Sequence, residues 1–198
     1  MSTLLYIKAS PQNTKTSSSL KMGRLFLEEY KKKNPNDKIV ELDLYENRPE
    51  FLYEGVKVDE RNVDFSKLKE RSKFVDDFIK ADKYLISSPI WNFTIPAILK
   101  AYIDQICIYE KTFVYTPGVG PVPLLKNRKV VALMSMGGKW VGTEGDFGGP
   151  YLKYIFNNFL GIEYQDLVFE GTSSKNEEQK EETFKDLHVK MIEIISKW

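Results

Sequence analysis

The chain reads as an α/β protein: five parallel strands in one doubly wound sheet, with helices on both faces. Two observations carry this. Strand-like and helix-like segments alternate along the whole sequence, the pattern of a parallel sheet with helical crossovers. Three strand candidates are continuous apolar runs, as expected when both faces of a strand are covered. At 198 residues the chain suits a single domain, 1–198, large enough to bury a core.

The first strand is read at Leu4 to Ala9, followed by a polar loop and a helix from about Ser17 to Lys33. The second is Lys38 to Leu44. A long irregular segment, Tyr45 to Asp64, precedes a helix over about Ser66 to Lys80. Loops of that length are often functional. The third strand is Lys83 to Ser87, with a helix from about Pro96 to Ile108. The fourth is Lys129 to Ser135, followed by a glycine-rich loop and a helix near Pro150 to Leu160. The fifth is Ile162 to Phe169, and the last helix covers about Lys175 to Lys197.

Strand character sets the order. Leu4-Leu5-Tyr6-Ile7, Tyr84-Leu85-Ile86 and Val130-Val131-Ala132-Leu133-Met134 are apolar throughout and belong in the centre. Glu41 and Asp43 interrupt the second strand, and Glu163, Gln165 and Asp166 the fifth, so these are edges. Right-handed crossovers then give the order 2-1-3-4-5. That is the flavodoxin-like arrangement, in which ligands bind at the carboxyl ends of the strands, at the switch point between strands one and three.

Composition excludes several classes. With 29 basic and 28 acidic residues the net charge is +1, so no field favours nucleic acid or an anionic membrane. The single cysteine, Cys107, rules out an intramolecular disulfide framework and fits a reducing compartment. Leu4 to Ile7 is a short run broken by Lys8, so no leader is expected, nor does any apolar run reach membrane-spanning length. A cytoplasmic protein is expected. The lone histidine, His188, falls in a charged helix and reads as solvated. A His-rich metal site within one chain is impossible, and no metal is expected.

Three loops should converge at the switch point. The first, Ser10-Pro11-Gln12-Asn13-Thr14-Lys15-Thr16-Ser17-Ser18-Ser19, opens a helix and contains no glycine. It is neither a G-x-G-x-x-G nor a Walker loop. Hydroxyls and free amides at a helix N-terminus can hold a phosphate. One serine suffices as a cap; Ser10, Ser17, Ser18 and Ser19 supply four hydroxyls. The second loop, Pro89-Ile90-Trp91-Asn92-Phe93, places two aromatics and an amide in a turn, where core aromatics rarely sit. It fits the edge of a flat, polar-rimmed ring, and a flavin is the best candidate. The third, Ser135-Met136-Gly137-Gly138-Lys139-Trp140, has paired glycines that let backbone approach a ligand.

Together these residues resemble the FMN-dependent NAD(P)H azoreductase and quinone oxidoreductase family over essentially the whole chain. The likeness rests on the serine-rich first loop, Pro89-Ile90-Trp91-Asn92-Phe93, Thr112-Phe113-x-Tyr115 with Gly118 and Gly120, and Ser135-x-Gly137-Gly138. The resemblance implies that Ser10, Ser17, Ser18 and Ser19 surround the FMN phosphate. It places Pro89, Ile90, Trp91, Asn92 and Phe93 along the ring and ribityl chain, and Ser135, Met136, Gly137 and Gly138 on the far side. Phe113 and Trp140 are assigned to the substrate pocket. Family members are homodimers with FMN near the interface, so the helix from Pro96 and the Phe113 segment are expected to face a second subunit. Ile90 and Trp91 stand where many members have Met and Tyr, and Trp140 replaces a frequent Tyr.

The implied activity is two-electron, ping-pong reduction of quinones and azo or nitroaromatic compounds by NADH or NADPH. Flavin N5 carries the hydride and no side chain acts as a catalyst. Rival readings are a flavodoxin-type electron carrier and a flavin-sensing or partner-binding module. A hydrolase is disfavoured because Met134-Ser135-Met136-Gly137 is not G-x-S-x-G.

Overall fold

The structure is a computed structural model that describes residues 1–51 and 69–198, with side chains from residue 73 onward in the second stretch. The long segment read from Tyr45 therefore passes outside the described residues at position 52, as does the helix start placed at Ser66. Strands β1 (Thr3–Lys8), β2 (Lys38–Asp43), β3 (Lys83–Ile90), β6 (Lys129–Met136) and β7 (Glu163–Phe169) form one parallel sheet in the order β2-β1-β3-β6-β7. Numbering only these five strands along the chain gives 2-1-3-4-5, the order expected.

Two additional strands, β4 (Phe113–Thr116) and β5 (Gly120–Pro123), pair antiparallel as a separate hairpin that the sequence reading did not assign. Pro121 and Pro123 hid the second of them, because proline counts against a strand. Strand β3 also runs three residues beyond its expected end at Ser87, through Ser88, Pro89 and Ile90. Pro89 is tolerated for a geometric reason. The Ser87 carbonyl accepts from the Ala9 amide, so alternate residues face β1. Pro89 faces the same side, past the end of β1, where no ladder bond is required of it.

Helices α1 (Ser18–Lys33) and α5 (Glu177–Ser196) cover one face of the sheet. Helices α2 (Lys69–Lys80), α3 (Ala97–Ile106) and α4 (Gly148–Lys153) cover the other. The helix expected near Pro150 to Leu160 instead changes type. α4 passes into a π-helical segment, Tyr154–Phe159, that no periodicity announces. Alternation sorts each central strand between two cores. Leu5, Ile7, Tyr84 and Ile86 face α2 and α3; Leu4, Tyr6 and Leu85 face α1 and α5.

Helix α1 sits unusually close to the sheet at Gly23. A Cβ there would collide with the Tyr6 hydroxyl and the Ser87 hydroxyl, which hydrogen-bond to each other at 3.0 Å. Glycine is required for that approach. Burial pushes the Tyr6 phenol well above its usual range, so it stays a neutral donor to Ser87.

The amino end of the sheet is closed by polar contacts. The Tyr30 hydroxyl donates to Asp37 at 2.6 Å, the Ser2 amide donates to the other Asp37 oxygen at 2.7 Å, and Lys83 donates to Tyr30 at 3.0 Å. Asp82 pairs with Arg128 and accepts from the Thr3 amide at 2.9 Å. Trp198 packs edge-on against Phe26 and Tyr30, with ring centroids 5.2 and 5.7 Å apart. Lys33 donates to the carbonyls of Ile195 and Ser196.

Candidate active site

The carboxyl end is open, and the three loops gather there. Ser10 is buried where the chain leaves β1. Ser17 is the N-cap of α1: its hydroxyl accepts from the Leu20 amide at 3.3 Å. It also lies 3.1 Å from the Ser19 hydroxyl, and both are buried. Ser18 is half-buried. The loop before them closes on Asn13, whose side chain accepts from the amides of Lys15 and Thr16. The first helical turn reads Ser18-Ser19-Leu20-Lys21, without an acidic residue, and the last carries Lys31, Lys32 and Lys33. The positive end of the helix dipole is thus not met by a carboxylate of the helix's own first turn, and can take an anion.

The second loop is a tight turn closed by two reciprocal bonds: Trp91 N to Thr94 O at 2.9 Å and Thr94 N to Trp91 O at 3.2 Å. Asn92 and Phe93 have φ values of 49° and 72°. Positive φ at both central positions marks a mirror-image two-residue turn. Asn tolerates it. For Phe it is a strained conformation, costing about 1–3 kcal/mol. Its result is that the aromatics point out of the fold: Trp91 is 43% exposed and Phe93 45%.

In the third loop, Ser135 and Met136 are buried at the end of β6, and Gly137 and Gly138 follow half-buried. A segment that the sequence reading missed holds this loop. The amides of Gly171, Thr172 and Ser173 donate to the carbonyls of Gly138, Met136 and Gly137. A Cβ on Gly137 would lie 2.6 Å from the Ser173 hydroxyl, so glycine is needed for the clamp to close. The only hint in the sequence was a run of small residues, Gly171-Thr172-Ser173-Ser174, after the last strand.

A cavity of about 430 Å³ lies between the second and third loops, lined by Ile90, Trp91, Asn92, Phe93, Met136, Gly137 and Trp140. Pro89, Ser135 and Gly138 stand next to lining residues in the chain, and the four serines of the first loop do not line it. Phe113 is not brought to it: it is buried in the β4–β5 hairpin against Phe159, at a centroid distance of 4.7 Å. His188 lies on α5 and pairs with Glu29 of α1 at 3.2 Å, so it is a helix-packing residue more than a purely solvated one.

The flavodoxin-like fold family matches residues 2–193. An FMN-dependent NADH:quinone oxidoreductase from Coprothermobacter proteolyticus is 41% identical over 173 residues, covering 85% of each chain. This chain belongs to that flavodoxin-like family of quinone oxidoreductases and azoreductases. Another family member, from Clostridium perfringens, is 42% identical over 168 residues and 82% of each chain. Among solved structures of the family, an azoreductase from Bacillus anthracis superposes with a TM-score of 0.88 at 28% identity, over the full length of both chains. An FMN-dependent NADH-azoreductase from the same species, solved with FMN, gives a TM-score of 0.85 at 29% identity over 98% of each chain.

Proposed function

We propose that the protein is an FMN-dependent oxidoreductase that uses NADH or NADPH to reduce quinones and azo or nitroaromatic compounds by two-electron, ping-pong turnover. One observation carries the reading. A helix end bearing buried serine hydroxyls and an aromatic cavity stand together at the switch point of a flavodoxin-like sheet. The residues suit FMN chemically. Ser17, Ser19 and the first amides of α1 would hold the phosphate. Ile90, Trp91 and Met136 would wall the ring, and Asn92 with the backbone of Gly137 would meet its polar edge.

When bound, FMN supplies the hydride chemistry. The protein's own share is positional. The strained Asn92-Phe93 turn and the clamped Gly137-Gly138 loop fix two backbone surfaces in advance, so little reorganisation accompanies the reaction. Trp91 and Phe93 would shield a bound ring from water. A second copy of the chain is the expected partner; the outward Tyr115 and Val119 of the β4–β5 region favour that. A cytoplasmic setting accords with the single cysteine; no described helix is long and apolar enough to cross a membrane.

Anaerobic NADH or NADPH added to FMN-loaded, desalted protein tests the proposal. Retained flavin that bleaches, and regains its colour on adding a quinone, supports it. Retained flavin that stays oxidised points to a carrier or sensor. Failure to retain flavin would overturn the reading.

A further inference from the structure

Trp140 is held on several sides. A Cβ on Gly138 would collide with its indole nitrogen, and one on Gly145 would lie 3.3 Å from its Cε3 and 3.2 Å from the Phe93 ring. Both glycines have φ outside the left-handed region, so the space they leave, not the backbone, is what the ring uses. Phe93 meets Trp140 edge-to-face, with centroids 5.1 Å apart and planes at 71°. The backbone is tied as well: the Trp140 carbonyl accepts from the amide and hydroxyl of Thr143, and the Val141 amide donates to Glu170 at 2.8 Å. Yet 41% of the residue stays exposed, at the cavity wall. A large aromatic ring pinned by its surroundings and open to a cavity is a preformed stacking surface. Its electron-rich face attracts electron-poor rings and has no such attraction for saturated ones.

We propose that Trp140 is a specificity-determining residue, a fixed platform that selects planar, electron-poor acceptors over saturated molecules of similar size, with Gly145 as a positioning residue that seats it. This rests on the functional reading, with the flavin ring against Ile90, Trp91 and Met136 and the acceptor on the Trp140 side of the same cavity.

The probe is anthraquinone-2-sulfonate, compared with a saturated tricyclic sulfonate. Binding is measured by equilibrium dialysis against oxidised protein without NADH, and retained FMN is quantified on the same samples. Trp140→Leu should raise the Kd for the quinone about tenfold and leave the saturated probe unchanged; Trp140→Phe should hold most of the affinity. Gly145→Ala should weaken quinone binding about threefold in the parent chain and less than that in the Trp140→Leu background, where only its contact with Phe93 remains. An unchanged quinone Kd in Trp140→Leu, or equal loss for both probes, overturns the proposal. Absence of FMN from every sample would sink the functional reading instead, while the dialysis would still decide whether Trp140 selects the planar ring.

Discussion

At the amino end of the sheet, Tyr30, Asp37, Lys83, Asp82 and Arg128 bond to one another and to the Ser2 and Thr3 amides. At the carboxyl end of the same strands, Trp91, Phe93 and Trp140 stand outward around a cavity, and one of them is held at a φ its side chain disfavours. Both ends are ordered, by different means. The amino end is ordered by hydrogen bonds and ion pairs among its own side chains, with only the Arg128 Nε left without a partner in this cluster among the described residues. The carboxyl end is ordered by glycine clearances, a strained turn and a backbone clamp, which leave surface free for a ligand. A parallel sheet can tolerate such openness at one end because the other end and both cores hold the strands in place.

The sharpest test of the contrast removes hydroxyls from the open end. Changing Ser17 and Ser19 together to Ala should weaken FMN by on the order of 100-fold, at about 1.5 kcal/mol or more per charge-assisted bond. Riboflavin, lacking the phosphate, should bind as before; equal loss for both, by fluorescence titration, would falsify the phosphate assignment. The closed end should respond in stability and not in binding. Asp37→Ala strands the Tyr30 hydroxyl, the Ser2 amide and Lys83, and should cost about 2 kcal/mol in urea unfolding with FMN affinity intact.

The same carboxylate gives the closed end a pH signature. The Ser2 amide first, then the Tyr30 hydroxyl, hold the Asp37 carboxyl below its usual range. A depressed folded pKa stabilises above the unfolded value of about 3.9 and is lost as pH falls through the lower folded value. Asp37→Asn should flatten the acid limb of the stability profile; an unaltered limb would remove Asp37 from the account. A smaller effect is expected from Phe93→Gly. Relief of the positive φ should keep the thermal midpoint level or raise it by a few degrees, a gain of up to about 1 kcal/mol, while acceptor binding weakens. A clear drop in midpoint would mean that the turn is not strained. Smallest of all, His188→Gln should leave both turnover and midpoint unchanged, since Glu29 keeps its ion pair with Lys32 at 2.7 Å.

Much of this was written in the sequence. Glu41 and Asp43 in one strand and Glu163 and Asp166 in another marked the edges, and with them the strand order and the end at which the loops would meet. The serine run and the Pro89–Phe93 block announced two of the three loops. What escaped depends on neighbours far along the chain. Pro89 looks like a strand breaker until the end of β1 is known. The left-handed φ of Phe93 is imposed by the bonds between Trp91 and Thr94, and nothing about phenylalanine foretells it. The fit of Gly145 against Phe93 and Trp140 joins residues 52 and 5 positions away, and only the fold brings all of them together. Phe113, assigned to the pocket by resemblance, turned inward with its hairpin.

The notch at Gly23 has a mechanical consequence. α1 is about 24 Å long at 1.5 Å per residue, and at Gly23, five residues from its serine end and ten from Lys33, it lies against the Tyr6 and Ser87 hydroxyls with no room for a Cβ. Gly23 is therefore a fulcrum with a short arm toward the serines and a long arm toward the Lys33 ties to Ile195 and Ser196. As a rigid rod, raising the long arm by about 1 Å would depress the short arm by about half that, by the ratio of rises. The far end of the molecule thus holds a lever whose load is the serine cluster.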